Sequence, residues 1–129
     1  MRVIIAILTC AVALLAACSS GDSDTVVTEE LAPIDEASIR IAESSPPQYF
    51  LDVTSGLPSG CAKFDRNEVA RSGDTITVQI WNRIETPRDG ACTAIYGMVE
   101  HSVPLGSDFE PGRTYTVRVN DVVRTFTAQ

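Results

Sequence analysis

Histidine is almost missing from this chain: His101 stands alone among 129 residues. Nucleophilic catalysis needs a Ser or Cys with a base in reach and an orienting group behind it. One histidine leaves little to build that from, and no Gly-x-Ser-x-Gly elbow, P-loop or Rossmann glycine pattern occurs. His101 shares the phase of Val99 and Val103, so a packed or half-exposed strand position is its expected role. There is no Cys-x-x-Cys pair, and zinc wants four ligands, so no metal or cofactor is expected. Basic residues are also few. Ten Lys and Arg face seventeen Asp and Glu, for a net charge of −7. Nucleic-acid binding needs a basic footprint, and this balance excludes it. No helical period follows residue 18, and no internal repeat appears. The apolar run over residues 3–17 falls short of the roughly 20 residues that span a bilayer.

What is present begins at the N-terminus. Arg2 gives a positive start, Val3–Leu15 is mostly apolar, and Leu15-Ala16-Ala17-Cys18 closes the segment. A secretory signal has these three parts in this order. The ending resembles the lipobox of bacterial lipoproteins, Leu followed by two small residues and Cys. That resemblance implies cleavage before Cys18, lipidation of its sulfur and new amino group, and an extracytoplasmic protein held to a bacterial membrane through Cys18. A conventional signal cut at Ala-x-Ala would instead free the protein. The cysteine directly after Leu-Ala-Ala, and the small polar leader Ser19–Asp24 behind it, favour the anchor. Each buried CH₂ contributes about 0.8 kcal/mol, so two or three acyl chains hold durably where one is marginal. In diderm lipoproteins an Asp after the cysteine often marks inner-membrane retention. Ser19 leans instead toward the outer membrane or cell surface.

Removing residues 1–17 leaves 112, enough for one modest domain. Loss of Arg2 takes the net charge from −7 to −8. Residues 19–47 carry seven acids against Arg40 alone, and the remainder is nearly balanced. Residues 18–33 therefore have the composition of an acidic linker ending at Pro33. Val26-Val27 is too short a run to announce a strand. The domain is expected over 34–129, most simply as a monomer. The acidic leader should stay solvated and away from anionic lipid. Cys10 would leave with the signal and Cys18 would take lipid. Cys61 and Cys92 then remain in an oxidising compartment, where they are expected to pair. Closing a loop of about 30 residues should contribute roughly 3–4 kcal/mol.

Period-two patterns fill the rest. Ile39 and Ile41 alternate with Ser38 and Arg40. Tyr49, Leu51 and Val53 share a face. Ile76, Val78 and Ile80 alternate with Thr75, Thr77 and Gln79 in the clearest strand. Phe64 and Val69 fall on opposite phases, which predicts a bulge between them. Residues 91–105 are apolar on both phases for much of their length, as in a central strand covered on both sides. Gly, Pro, Asn and Asp punctuate the runs. About seven short strands result, and the expected fold is an all-β, antiparallel β-sandwich with one internal disulfide.

The tail Glu110-Pro111-Gly112-Arg113-Thr114-Tyr115-Thr116-Val117-Arg118-Val119-Asn120 resembles the penultimate strand of immunoglobulin-like domains. That resemblance implies a tyrosine corner at Tyr115, its hydroxyl bonded to backbone upstream. The Cys61, Trp81 and Cys92 spacing departs from antibody domains, so the bridge should join different strands.

Among candidate contact residues Trp81 is foremost. It lies on the polar phase with Thr77, Gln79 and Arg83. A large aromatic beside Arg suits a protein or glycan partner. A bulge turning it inward, or the Arg83 stem lying over it, would make it structural. Phe50 is a weaker case, opposite in phase to Tyr49, Leu51 and Val53. The acids Asp52, Asp65, Glu68, Glu85 and Glu100 are scattered and suit a solvated face. Asp108, Glu110, Asn120 and Asp121 could offer oxygens to calcium, but turn chemistry accounts for each. Two functions follow as expectations. One is a non-enzymatic binding or structural module anchored in the envelope. The other is a loop-based inhibitor of extracytoplasmic proteases, with tips at Leu57–Gly60 and Thr86–Gly90.

Overall fold

The computed structural model describes residues 24–129. The signal segment, Cys10 and Cys18 lie outside the described residues. Eight strands follow in order: β1 (Thr25–Leu31), β2 (Ile34–Ala42), β3 (Gln48–Leu57), β4 (Ala62–Ser72), β5 (Thr75–Pro87), β6 (Gly97–Gly106), β7 (Thr114–Val119) and β8 (Val122–Thr127). They form two sheets, one of β1, β4, β5, β7 and β8, the other β2-β3-β6. Every pair is antiparallel except β5 with β7. The result is a β-sandwich of eight strands where the sequence pattern gives about seven.

β5 organises the larger sheet. β4 runs along one of its edges. On the other edge β7 lies beside Thr75–Val78 and β1 beside Trp81–Pro87. The alternation explains which face turns in. Ile76, Val78 and Ile80 are buried against Tyr49, Leu51 and Val53 of β3, and Val117 and Val119 of β7 join them. Each such side chain contributes roughly 1.5–3 kcal/mol by leaving water.

Between the ends of β1 and β7 the ladder has a gap, and Asn120 fills it. Its Oδ1 accepts from the Ile80 N–H at 3.0 Å, and its Nδ2 donates to the Ala32 carbonyl at 2.7 Å. Its φ is 48°. Asparagine tolerates that left-handed conformation better than most residues, which is why it can serve both the β7–β8 turn and the gap.

Two expectations are corrected. Residues 25–31 have the composition of a linker, yet they pair residue for residue with β5. Backbone hydrogen bonds to a long open edge make this strand, and side-chain pattern cannot announce those. Pro33 has no N–H to continue a ladder. There the chain leaves one sheet, and β2 begins in the other at Ile34. Residues 91–105 are not a central strand. Residues 91–96 form a loop, and β6 is an edge strand on which only Val103 is buried. Apolarity on both phases here reflects exposed apolar groups, not burial on two sides.

Other expectations hold. The register of β4 shifts between Phe64 and Arg66. Cys61 and Cys92 form a disulfide that ties the entrance of β4 to the β5–β6 loop. The Tyr115 hydroxyl accepts from the Glu110 N–H at 2.9 Å, which is the tyrosine corner.

The core has two unlike ends. At one, Tyr49, Phe109, Tyr115 and Phe126 pack with ring centroids 4.8–5.4 Å apart. At the other, the fully buried Ser55 and Asn82 sit among Gly56, His101 and Phe64.

Candidate functional site

The sandwich presents two outer faces, and the residues singled out by pattern divide between them. Trp81 and Arg83 lie on the outside of β5. Phe50 lies on the outside of β3, in the other sheet. The three therefore do not form one surface.

The Trp81 face is occupied by its own charges. Trp81 sits between Leu31 of β1 and Arg66 of β4. The Arg66 guanidinium lies over the indole, 5.1 Å from the ring. Glu29, Asp65 and Glu68 surround that guanidinium and hold its pKa above the ordinary arginine value, Glu68 most strongly. Arg83 pairs with Glu85 at 3.0 Å. Glu85 also accepts from Lys63 at 2.6 Å, which lowers its carboxyl pKa. The indole is half-buried, and its N–H finds no acceptor among the described residues. The cover that the pattern assigns to Arg83 comes instead from Arg66. A bulge is the reason: the β4 register shift directly precedes the Arg66–Trp81 pairing.

The outside of the three-stranded sheet is more open. Ser38 and Arg40 of β2, Phe50, Asp52 and Thr54 of β3, and Glu100 and Ser102 of β6 face outward there. Arg40 Nε donates to Asp52 at 2.7 Å, and the Ser102 hydroxyl donates to the same carboxylate at 2.7 Å. The Arg40 bond, and then the Ser102 bond, lower the Asp52 pKa. The Arg40 guanidinium also stacks on Phe50 at 4.6 Å. Beside this cluster runs a shallow groove of about 450 Å³, lined by Glu36, Ser38, Asp52, Thr54, Glu100 and Ser102 among others. Farther along β3, Tyr96 lies over Gly56, where any β-carbon would collide with the phenol. The Tyr96 hydroxyl donates to Asp35 at 2.9 Å, which raises the phenol pKa. The aromatic–guanidinium stack and the aromatic–carboxylate pair lie on the same sheet as the groove but do not line it. Phase alone turns Phe50, Ser38 and Arg40 outward, and Asp52 and Glu100 suit a solvated face. The β2–β3–β6 register that gathers them was not legible.

His101 faces the interior. Its Nε2 is 2.8 Å from the Ser55 hydroxyl, and its ring packs on Phe64 at 4.3 Å. A serine beside an imidazole is the start of a nucleophile–base pair. Ser55 is fully buried, however, and no carboxylate hydrogen-bonds to the ring among the described residues. Burial lowers the His101 pKa. The pair belongs to the core. The oxygens weighed for calcium are dispersed. Glu110 pairs with Arg113, Asn120 fills the strand gap, and no group of three or more metal-ligating side chains occurs among the described residues.

Both candidate inhibitory tips lie at the disulfide-bearing end. Thr86 and Pro87 belong to β5, which shortens the second tip to Arg88–Gly90. The Gly60 N–H donates to the Thr93 carbonyl, and the Glu85 N–H to the Cys61 carbonyl. Gly60 has no room for a side chain beside the Thr93 hydroxyl.

A family model for the ORF11 beta-sandwich domain matches residues 51–128. The chain belongs to this family. The ORF11 match begins within β3 and runs through β8, and it takes in the disulfide, the tyrosine corner and the β3 and β6 sides of the groove. The chain is similar to the "Uncharacterized 10.2 kDa protein in HgiCIIM 5'region" of Herpetosiphon aurantiacus. The two are 28% identical over 89 residues, 69% of this chain and 92% of the relative. It is also similar to the "Uncharacterized 10.2 kDa protein in HgiBIM 5'region" of the same organism, 29% identical over 79 residues, 61% of this chain and 93% of the relative. Those relatives are little more than the matched domain itself. No solved structure matches the chain.

Proposed function

We propose that this protein is a lipid-anchored, extracytoplasmic binding module of the bacterial envelope, without catalytic activity, that contacts a protein or glycan partner. The observation that carries the reading is the Leu15-Ala16-Ala17-Cys18 leader joined to a disulfide-linked sandwich with an open polar face. A disulfide persists outside the reducing cytoplasm, in keeping with export. The contact surface is the groove on the three-stranded sheet, and Phe50 faces out from the same sheet. The Trp81 side is the lesser candidate, because Arg66, Arg83 and Lys63 already have carboxylate partners.

Retention of the detergent-solubilised lipoprotein on immobilised envelope material tests this. Thr54→Arg, which would fill the groove, should abolish retention, and Trp81→Ala should leave it. Equal retention of wild type and Thr54→Arg would sink the groove as the contact surface.

A second reading is loop-based inhibition of an extracytoplasmic protease. It has one specific support, the clustering of Pro58–Gly60 and Arg88–Gly90 about the Cys61–Cys92 bridge. Its test is a panel of secreted proteases, where inhibition lost with Arg88→Ala would favour it.

A further inference from the structure

The β1 strand changes the length of the tether. A linker running to residue 33 would hold the domain well clear of the membrane. Among the described residues the first strand instead starts at Thr25, pinned by β5 and by the Arg88 N–H, which donates to the Asp24 carbonyl at 2.8 Å. On the lipoprotein reading, only Ser19–Ser23 separate the anchored Cys18 from Asp24. Six residue steps span at most about 20 Å fully extended. The point of attachment is also fixed. Thr25 lies opposite Pro87, at the end of the sandwich that carries the disulfide and the 88–96 loop.

That end carries the two most exposed apolar side chains, although Val69 and Val123 are half exposed elsewhere. Ile95 is 69% exposed and Met98 68%, with Tyr96 at 49%. Val26 and Val27, at the start of β1, are about half exposed. The bridge to Cys61, and the Tyr96 bond to Asp35, hold the loop that presents Ile95 and Tyr96, and Met98 follows at the second residue of β6. Apolar groups kept this close to a bilayer gain by entering the headgroup region, and tyrosine is favoured at that depth.

We propose that the disulfide-bearing end docks on the lipid surface itself, with Ile95 and Met98 inserted. The docking rests on the Cys18 anchor assigned above. It leaves the part of the groove around Asp52 and Ser102, farther along β3 and β6, free for a partner.

The test uses the full chain, expressed with its leader, purified from membranes and reconstituted into phosphatidylcholine vesicles bearing brominated acyl chains. Trp81→Phe removes the native indole, and Ile95→Trp places one on the loop. Glu43→Trp, beyond the far end of β2, is the control. The indole at position 95 should lose most of its emission to the bromines, at a depth of about 5–10 Å, and the one at 43 should lose none. If the protein floats with the vesicles but position 95 is unquenched, docking is overturned and the anchor stands. If it does not float at all, the lipoprotein reading fails, and docking fails with it. A blue-shifted but unquenched indole at 95 would assign the patch to a protein contact and overturn docking on lipid.

Discussion

The two ends of the sandwich are built on different chemistry. At the end remote from Thr25, four aromatic rings interlock, and the polar atom of Tyr115 is aimed at a backbone N–H. At the other end the interior is polar. Asn82 donates to the Gly56 carbonyl at 2.8 Å while its Oδ1 has no partner among the described residues, and Ser55 meets His101. A covalent bridge and small residues hold that end where packing does not. The difference teaches a division of labour. Stability is concentrated where rings stack. The two most exposed apolar side chains, Ile95 and Met98, lie where the interior is polar, as expected of a region that meets other surfaces.

Truncating one ring at each end separates the two most strongly. Phe126→Ala should cost about 3–5 kcal/mol, measured as the shift in urea unfolding. Phe64→Ala, at a position 36% exposed, should cost under about 2 kcal/mol. Equal losses would mean that the ends are equivalent. Removing the bridge with Cys61→Ser and Cys92→Ser together should cost roughly 3–4 kcal/mol. Limited proteolysis should then cut first within residues 88–96. First cleavage near residues 107–113 would reverse the assignment of the weaker end. Tyr115→Phe deletes only the corner hydroxyl and should cost about 1 kcal/mol, through the unpaired Glu110 N–H.

The smallest effect is on pH dependence. Burial lowers the His101 pKa, so the unfolded chain binds a proton at about 6.5 while the fold resists it. Stability should be fully present above that pH and decline as pH falls below it, before the carboxylates titrate. His101→Gln should flatten the decline. An unchanged slope in that variant would show that the polar end does not sense acid through His101.

Much of the fold was legible because alternation reports burial directly. Ile76, Val78 and Ile80 turned in as their phase required, and Tyr115 formed its corner. β1 was illegible because its strand is made by backbone pairing to the edge of β5, and neither Val26 nor Val27 is buried. The 91–105 segment misled for the opposite reason. Its apolar groups serve an exposed loop and an edge strand. The outer faces followed the same rule. The phases of Phe50 and Trp81 announced that they point outward. That Arg66 covers Trp81, or that Asp52 gathers Arg40 and Ser102, depends on register and a bulge, which no local pattern carries.

Export and anchoring stand or fall with the N-terminus of the mature protein, which the mass of its N-terminal peptide reads. A lipid-anchored chain gives a peptide that begins at Cys18 and carries a diacylglyceryl thioether, with residues 1–17 gone. A mature chain starting at any other residue, or a Cys18 thiol left free, would contradict the anchor.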